Sequence, residues 1–275
     1  MSQPSADTDA RSLPVRVDAE VLENRDEGGG NHHLCLRVPD WPGSAPGQFV
    51  MLSAGARSAV ERTDPLLPRP MAVYRQSGSV VEVLYKVTGR GTALLAQVRP
   101  GQRVRTVGPL GCAFLRPDAA KPAILVGGGT GIASLHELAA QCAEAIEVTV
   151  LLGARTAEEL MARDDFAALP VELRIATDDG SEGHPGVVTE LLEEMLAEGG
   201  APGVYACGPT PMMRRCAELA RAAGARCQVS LENHMACGFG VCLGCAAPLA
   251  EGGFALVCTE GPVFDAARVA WETLP

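Results

Sequence analysis

The chain has 275 residues, 47% of them hydrophobic, and a formal net charge of −10 at pH 7. This length is enough for more than one hydrophobic core, because single domains usually have about 100–200 residues. The negative charge argues against nucleic acid and against an anionic membrane surface as partners.

Residues 1–14 are polar, and their composition predicts a disordered tail. This tail lacks the basic start and the apolar run of a signal peptide. No part of the sequence reaches the roughly 18 consecutive apolar residues of a membrane span. A cytoplasmic location is therefore expected. Thiols stay reduced there, so the ten cysteines need an explanation other than disulfides.

Residues 15–118 contain short segments rich in valine and leucine, separated by glycine and proline. Segments of this kind with turn residues between them predict an antiparallel β-barrel. The segments are VRVDAEVLE, HHLCLRVP, GQFVMLSA, PMAVYRQ, SVVEVLYKVT and QRVRTVGPLG.

Two places in this barrel region are candidates for phosphate contacts. Arg69 lies beside the rigid Pro70 at a strand start, where a guanidinium can hold a phosphate or the edge of a flavin. Gly91 and Thr92 precede a helical stretch whose free amides can bind a phosphate. Each place also has an ordinary interpretation, Arg69 as a surface charge and Gly91 as a turn residue, so neither identifies a ligand by itself.

Strands alternate with helices through residues 119–226, which predicts a parallel sheet with helices on both faces. The first of these strands is followed by GGGTGI, and glycine at a helix N-terminus lets a pyrophosphate approach the free amides. The run is not a clean G-x-G-x-x-G, so a plain tight turn is the alternative. The candidate nucleotide contacts are Gly127, Gly128, Gly129, Thr130 and Gly131.

A later strand of the same unit ends in YACGPTPMM. Its Cys207, Gly208 and Pro209 are predicted to lie at the carboxyl edge of the sheet, where ligands bind. We take Cys207 as the candidate catalytic residue and the next two residues as cofactor contacts. The choice between NADH and NADPH stays open, because Arg155 could meet a 2′-phosphate or pair with a glutamate one turn on.

Four cysteines in the last region, residues 227–275, have the spacing C-x4-C-x2-C-x12-C. Four thiolates can bind zinc or an iron–sulfur cluster. Zinc sites usually use two short C-x2–4-C knuckles, whereas here three cysteines share one loop and the fourth is alone, which is the layout of a [2Fe–2S] site. We predict this cluster, with zinc as the alternative, on Cys237, Cys242, Cys245 and Cys258.

Glycine is frequent between these cysteines, at Gly238, Gly240 and Gly244. The bridging sulfides of a cluster need hydrogen-bond donors. A loop that is free to take positive φ can turn its amides inward toward them. The glycines therefore favour a cofactor-binding loop.

The order of these motifs resembles that of the ferredoxin–NADP reductase superfamily. The likeness covers roughly residues 15–270 and is closest to the electron-transfer subunits of NAD-dependent (class 1B) dihydroorotate dehydrogenases. Its most specific parts are VSLENHMACGFGVCLGC and VCTEGPVFDA. The resemblance implies an FAD-binding β-barrel, a parallel-sheet NAD-binding domain and a small C-terminal [2Fe–2S] subdomain.

The resemblance also implies which residues hold the cofactors, with the cluster on the four cysteines. Ala72 is a departure, since the family often has serine or threonine there, and the flavin potential is expected to differ. Cys237 argues against the relative that bifurcates electrons to ferredoxin, which has aspartate at that place. FAD is expected on Arg69, Pro70, Met71, Ala72, Leu84, Tyr85, Lys86, Gly91 and Thr92.

By this resemblance, the chain passes electrons between NAD(H), FAD and a [2Fe–2S] cluster to an FMN-containing catalytic subunit that converts dihydroorotate to orotate in pyrimidine biosynthesis. The flavin is placed between NAD(H) and the cluster, because a hydride carries two electrons and the cluster accepts one at a time. The chain is thus expected to be half of an enzyme, since no dihydroorotate site is evident in it. The alternatives are a reductase component for an oxygenase or hydrogenase, a flavin and cluster redox sensor, and a zinc-stapled binding module.

The residues between the cysteines are apolar, and they include Met235, Phe239, Val241 and Leu243. An exposed apolar patch usually marks a partner surface. We expect this loop, together with Gly261–Ala266, to dock on the catalytic subunit. Two copies of each chain would form a heterotetramer.

Overall fold

The computed structural model describes residues 13–53 and 65–274. The predicted tail, residues 1–14, lies outside the described residues except for its last two positions. In the described part of the chain, no helix is long and apolar enough to cross a membrane.

The first unit is a curled antiparallel sheet of seven strands with the order β4-β3-β7-β1-β2-β6-β5. A short helix, α1, precedes β7, which is the last strand of this sheet in chain order. The elements are β1 (Val15–Gly28), β2 (Asn31–Arg37), β3 (Phe49–Leu52), β4 (Arg69–Ala72), β5 (Arg75–Ser77), β6 (Val80–Lys86), α1 (Arg90–Ala96) and β7 (Arg103–Leu110).

The predicted barrel is confirmed, but the segment PMAVYRQ forms two strands where the sequence suggested one. β4 pairs with β3, whereas β5 pairs with β6 at the other edge of the sheet. The change occurs between two residues: Val73 N donates to Gln48 O at 3.0 Å, and Tyr74 N donates to Glu82 O at 2.8 Å. One stretch of chain therefore belongs to both edges of the sheet, and this brings the edges together.

The second unit is a sheet with the order β11-β10-β9-β8-β12-β13-β16, in which every pair is parallel except β13 with β16. A two-stranded hairpin, β14 with β15, follows the cysteine loop. The elements are β8 (Ala123–Gly128), α2 (Ala133–Cys142), β9 (Val148–Ala154), α3 (Arg163–Ala167), β10 (Glu172–Thr177), β11 (His184–Pro185), α4 (Val188–Ala197), β12 (Gly203–Cys207), α5 (Thr210–Ala222), β13 (Cys227–Ser230), β14 (Ala246–Pro248), β15 (Phe254–Leu256) and β16 (Val263–Asp265).

Two details of this unit differ from the sequence-based expectation. The segment TAEELMAR forms only a 3₁₀ turn at Ala157–Glu159, and the α-helix comes later, as α3. Leu160 is extended and Ala162 has φ of 58°, so the backbone cannot continue a helix through them. The sheet also continues past residue 226, since β13 and β16 both belong to it.

The cysteine region packs against both larger units. Met235, Cys245 and Cys258 share one buried cluster with Phe49 and Met51 of β3, and with side chains of α4 and α5. A Cβ at Gly238 would lie 2.6 Å from Met51 Cγ, so the loop touches the barrel directly. The three units therefore meet at the carboxyl ends of the parallel strands.

Candidate functional site

A cavity of about 300 Å³ lies where the barrel, the parallel sheet and the start of the cysteine region meet. β4 and β6 form one wall, and the carboxyl ends of β12 and β13 form the other. The structure brings most of the predicted cofactor contacts to it. Those that line the cavity are Arg69, Pro70, Met71, Ala72, Leu84, Tyr85, Lys86, Thr92, Thr130, Gly131 and Cys207.

Arg69 and the start of α1 form one end of the cavity. The guanidinium lies so close to Gly91 that a Cβ there would be 2.5 Å from Arg69 Nη2. Arg69 Nη1 also donates to Leu67 O at 2.6 Å. Gly91 is therefore needed for the close approach of the arginine to the helix, which places a positive charge beside the start of α1.

Three predicted contacts already use their polar atoms within the protein. The Thr92 hydroxyl accepts from Thr88 N at 3.0 Å and so caps its own helix. Tyr85 donates its hydroxyl to Asn24 Oδ1 at 3.0 Å, and burial raises the pKa of this phenol. Lys86 Nζ lies 3.1 Å from Glu159 Oε2 in the α/β unit.

The glycine run sits against the end of β12, and its glycines permit close packing. A Cβ at Gly131 would overlap the Cys207 carbonyl, and one at Gly127 would overlap Ile132. A Cβ at Gly208 would lie 3.0 Å from the Gly128 backbone. Gly127, Gly128, Gly129, Gly208 and Pro209 are outside the cavity wall, so their role toward a nucleotide stays a prediction.

Gly129 is the member of the run whose surroundings are open. Its φ is 54°, and no atom lies within 4 Å of a Cβ placed there. The backbone can therefore be approached from outside at this point, just before α2, as an anion at a helix N-terminus requires.

Cys207 is buried at the cavity wall, with 2% of its surface exposed. Burial raises the pKa of its thiol to about 12. The thiol donates to Ser134 Oγ at 3.5 Å. Any contribution of Cys207 to catalysis is therefore that of a neutral thiol, and its catalytic role stays a prediction.

Glu232 is a cavity residue that the sequence analysis did not single out. Among the described residues that line the cavity, it carries the one carboxyl group. Burial raises the pKa of this carboxyl. The sequence did contain a signal for Glu232 as a site residue. SLEN lies at the end of a strand of the parallel sheet, and the carboxyl ends of such strands carry ligand sites.

Backbone amides of the cysteine loop and its surroundings point at sulfur atoms. Gly240 N lies 3.2 Å from Cys258 Sγ, and Gly244 N lies 3.5 Å from Cys242 Sγ. The φ angle of Gly240 is 83°, which glycine adopts without strain. The loop therefore turns amides toward cysteine sulfur atoms, and their role toward the bridging sulfides of a cluster stays a prediction.

The four thiols contact each other in two pairs, Cys237 with Cys242 and Cys245 with Cys258. Burial alone would raise the pKa of Cys237, but hydrogen bonds from the Cys242 and Phe239 backbone lower it to about 6. Across the described ranges, no three His, Cys, Asp or Glu side chains converge on one point as a single metal ion would need. Two pairs of thiols are compatible with a [2Fe–2S] core, in which each iron takes two thiolates.

The apolar side chains of the loop divide into exposed and buried ones. Phe239, Val241 and Leu243 are 56%, 74% and 62% exposed, whereas Met235 is buried under the loop. The segment Gly261–Ala266 is buried apart from Asp265, because it holds β16 at the sheet edge. Our expectation that this segment contacts a partner was therefore wrong. We call the three exposed side chains the apolar rim.

Two family profiles match the chain in the regions just described. One is described as the iron–sulfur cluster binding domain of dihydroorotate dehydrogenase B and matches residues 232–270. The other is the oxidoreductase NAD-binding domain and matches residues 125–218. The cysteine loop and the glycine run lie inside these two matches.

The curated relatives are similar over nearly the whole chain. The dihydroorotate dehydrogenase B (NAD(+)) electron transfer subunit of Desulforamulus reducens is 37% identical over 93% of this chain and 98% of its own. The subunit of the same name from Bacillus caldolyticus is 41% identical over 82% of this chain and 86% of its own. The chain belongs to this family of electron transfer subunits. The predicted resemblance is thus confirmed.

Solved structures agree with this family assignment. A chain of the NADH-dependent reduced ferredoxin-NADP oxidoreductase, studied for flavin-based electron bifurcation, has a TM-score of 0.83 at 29% identity, covering 94% of this chain and 91% of that one. The ferredoxin reductase of carbazole 1,9a-dioxygenase shares the fold, with a TM-score of 0.65 at 22% identity over 77% of this chain and 67% of that one. As a member of the electron transfer subunit family, the chain is an oxidoreductase subunit with NAD, FAD and an iron–sulfur cluster as cofactors.

Proposed function

We propose that this chain carries electrons between NAD(H), FAD in the cavity, the cluster on the cysteine loop and the catalytic subunit of a dihydroorotate dehydrogenase B. The observation that carries the proposal is the placement of the loop. Asn233 and Met235 line the cavity, and Gly238 rests on Met51 of the barrel. The two redox sites are thus joined by a few residues of one chain.

The proposed assignment follows the three regions. Residues 15–118 hold FAD, with Arg69 and the start of α1 at its phosphates. Residues 119–226 hold NADH at the carboxyl edge of the sheet, through the glycine run, Gly208 and Pro209. Residues 227–275 hold the cluster on Cys237, Cys242, Cys245 and Cys258.

The flavin, when bound, supplies the exchange between two-electron and one-electron transfer. The residues of this chain supply binding, orientation and exclusion of water. Ala72 brings no hydroxyl to the cavity, whereas Thr130 and Ser134 bring hydroxyls from the α/β side. Cys207, held as a neutral thiol, adds no charge at the same wall.

The partner is an FMN-containing catalytic subunit, and the complex is a cytoplasmic heterotetramer with two copies of each chain. The support is the apolar rim beside the cluster, since exposed apolar side chains of this size usually mark a contact surface. The names of the relatives, electron transfer subunits of dihydroorotate dehydrogenase B, agree with such a partner.

The test is Cys242→Ser compared with Cys35→Ser in anaerobically purified protein. Cys35 lies in β2 of the barrel and not in the cysteine loop, so its variant should keep iron and sulfide near two each per chain, as a [2Fe–2S] core requires. Cys242→Ser should lose iron and sulfide, and with them the transfer of electrons to the catalytic subunit. It should keep FAD and NADH-dependent dye reduction.

Stoichiometric zinc without sulfide in the unmodified protein would contradict the cluster. Electron transfer to an oxygenase or hydrogenase partner, with none to the catalytic subunit, would favour the alternative reductase function.

A further inference from the structure

A group of polar side chains joins the barrel to the α/β unit directly behind the cavity. Tyr74 and Arg75 follow Ala72, the cavity residue at the end of β4, by two and three positions. Both reach one carboxylate of the α/β unit, that of Asp165 on α3. Tyr74 donates its hydroxyl to Asp165 Oδ2 at 2.5 Å, and Arg75 Nη1 donates to Asp165 Oδ1 at 2.8 Å. A single carboxylate is therefore held by two barrel residues.

The Tyr74 side chain is completely buried between the two units. Its ring lies 4.8 Å from that of His136 on α2, and the Arg75 guanidinium lies 5.0 Å from the ring centre on another side. Burial raises the pKa of the phenol, so it stays protonated and donates to Asp165. The contact is thus a short hydrogen bond to a charged acceptor, which is stronger than one between neutral groups.

A hydrogen bond within the barrel orients the Arg75 side chain. Its Nη2 donates to Glu82 Oε2 at 2.7 Å, and the same carboxylate lies 2.6 Å from His33 Nε2. Burial would raise the pKa of Glu82, but the hydrogen bonds from His33 and Arg75 outweigh it and lower the pKa to about 2. Glu82 lies on β6 two residues before Leu84, another cavity residue, so the arginine is anchored to a strand of the cavity wall.

The next residue of β5 makes a second contact with the α/β unit. Gln76 N donates to Glu137 Oε1 of α2 at 3.3 Å. α2 begins at Ala133, two residues after Gly131 of the glycine run. The strand that continues from the flavin wall therefore touches both α2 and α3 of the nucleotide-binding unit.

We propose that Tyr74, Arg75 and Asp165 form a latch that sets the position of the α/β unit relative to the barrel, and that Asp165 is a positioning residue for hydride transfer. This inference rests on the proposed function, in which one hydride passes between NAD(H) and FAD. Hydride transfer needs the reacting atoms about 3–3.5 Å apart. The two walls of the cavity belong to different units, so their separation depends on contacts between the units. The latch is a charged contact two to three residues from the wall, in addition to the ion pair of Lys86 with Glu159.

The test compares Asp165→Asn with Asp164→Asn in the protein loaded with FAD and cluster. The neighbouring Asp164 is the matched control, because its side chain is 89% exposed and pairs with Arg163 of its own helix. In Asp165→Asn, we expect flavin reduction at saturating NADH to slow about tenfold, with reduction by dithionite unchanged. Amide hydrogen exchange in α3 and β5, measured without NADH, should rise at the same time. Asp164→Asn should behave as the unmodified protein in all three measurements.

Tyr74→Phe is the second variant, since it keeps the buried ring and removes only the hydroxyl. It should slow NADH-dependent reduction in the same direction, and the double variant should be no slower than Asp165→Asn alone. Effects that multiply in the double variant would overturn the latch, as would unchanged hydrogen exchange in Asp165→Asn. The exchange measurement needs no NADH, so it tests the latch even if NADH fails to reduce the unmodified protein, a result that would contradict the proposed function instead.

Discussion

At the scale of single residues, Glu232 has an environment that works against its charge. The residue is exposed, yet partial desolvation by the surrounding protein raises the pKa of its carboxyl, and this carboxylate in turn helps to raise the pKa of Cys207. A carboxyl whose pKa is higher in the native state binds more protons there than in the unfolded chain. Its ionisation therefore lowers stability as the pH rises from the unfolded pKa, near 4.5, through the raised native value.

Glu232→Gln should remove this cost. We expect the free energy of unfolding of the apoprotein to exceed that of the unmodified apoprotein at pH 7.5, by at most about 1 kcal/mol because solvent screens the site. The difference should shrink toward pH 4, where the glutamate is neutral in both states. Urea denaturation at the two pH values measures it. Glu251→Gln, which alters an exposed ion pair with Arg268, is the control. A difference that grows toward pH 4 would contradict the sign of the pKa shift.

At the scale of elements, the cysteine loop is shaped by its contact with the barrel as well as by its glycines. Gly238 has φ of 84°, and a Cβ there would be 2.6 Å from Met51 Cγ and 3.0 Å from Leu110 Cδ1. Gly252, in the turn between β14 and β15, has φ of 91° but open surroundings. Both glycines have positive φ, but only Gly238 has side chains close to it. Comparing alanine at the two positions therefore separates the cost of backbone strain from the cost of the packing clash.

Gly238→Ala should lower the free energy of unfolding by about 1–3 kcal/mol more than Gly252→Ala, because it also forces the loop away from β3. We expect electron transfer from flavin to cluster to slow in Gly238→Ala and to stay unchanged in Gly252→Ala. Chemical denaturation and rapid-mixing absorption at the cluster band measure the two effects. Equal behaviour of the two variants would show that the barrel contact does not set the position of the loop.

At the scale of the whole molecule, the segment that contains the cysteine loop lines the cavity with Asn233 and Met235 and exposes the apolar rim further along the chain. Phe239→Glu adds a charge to the rim and should weaken binding of the catalytic subunit at least about tenfold, since a charge buried without a partner opposes association. NADH-dependent dye reduction should be retained, because the substitution lies outside the cavity.

Titration of the two chains by calorimetry measures this change in affinity. Leu115→Glu is the control, because Leu115 is 74% exposed but lies in the linker between β7 and β8 and not in the cysteine loop. Equal loss of affinity in both variants, or none in Phe239→Glu, would place the docking surface elsewhere.

The sequence by itself determined the features that depend on neighbouring residues. Valine-rich segments predicted the barrel, and the alternation of strands with helices predicted the parallel sheet. The cysteine spacing favoured a [2Fe–2S] cluster over zinc, because thiolate spacing and glycine φ are local properties of one loop. Arg69 and Cys207 were named as candidate site residues for the same reason, since each belongs to a short motif, at the start of β4 and at the end of β12 respectively.

Only the tertiary structure decided what depends on distant segments. The split of PMAVYRQ follows from two partners, β3 and β6, that the segment itself does not encode. Met235 and most of the segment Gly261–Ala266 are apolar, as Phe239 is. Other elements cover Met235 and this segment apart from Asp265, whereas Phe239 is exposed. The pairing of Tyr74 with Asp165 joins residues 91 positions apart. Burial and charge pairing of this kind are set by the packing of whole units, because the free energy of an apolar or charged side chain depends on what lies against it in space.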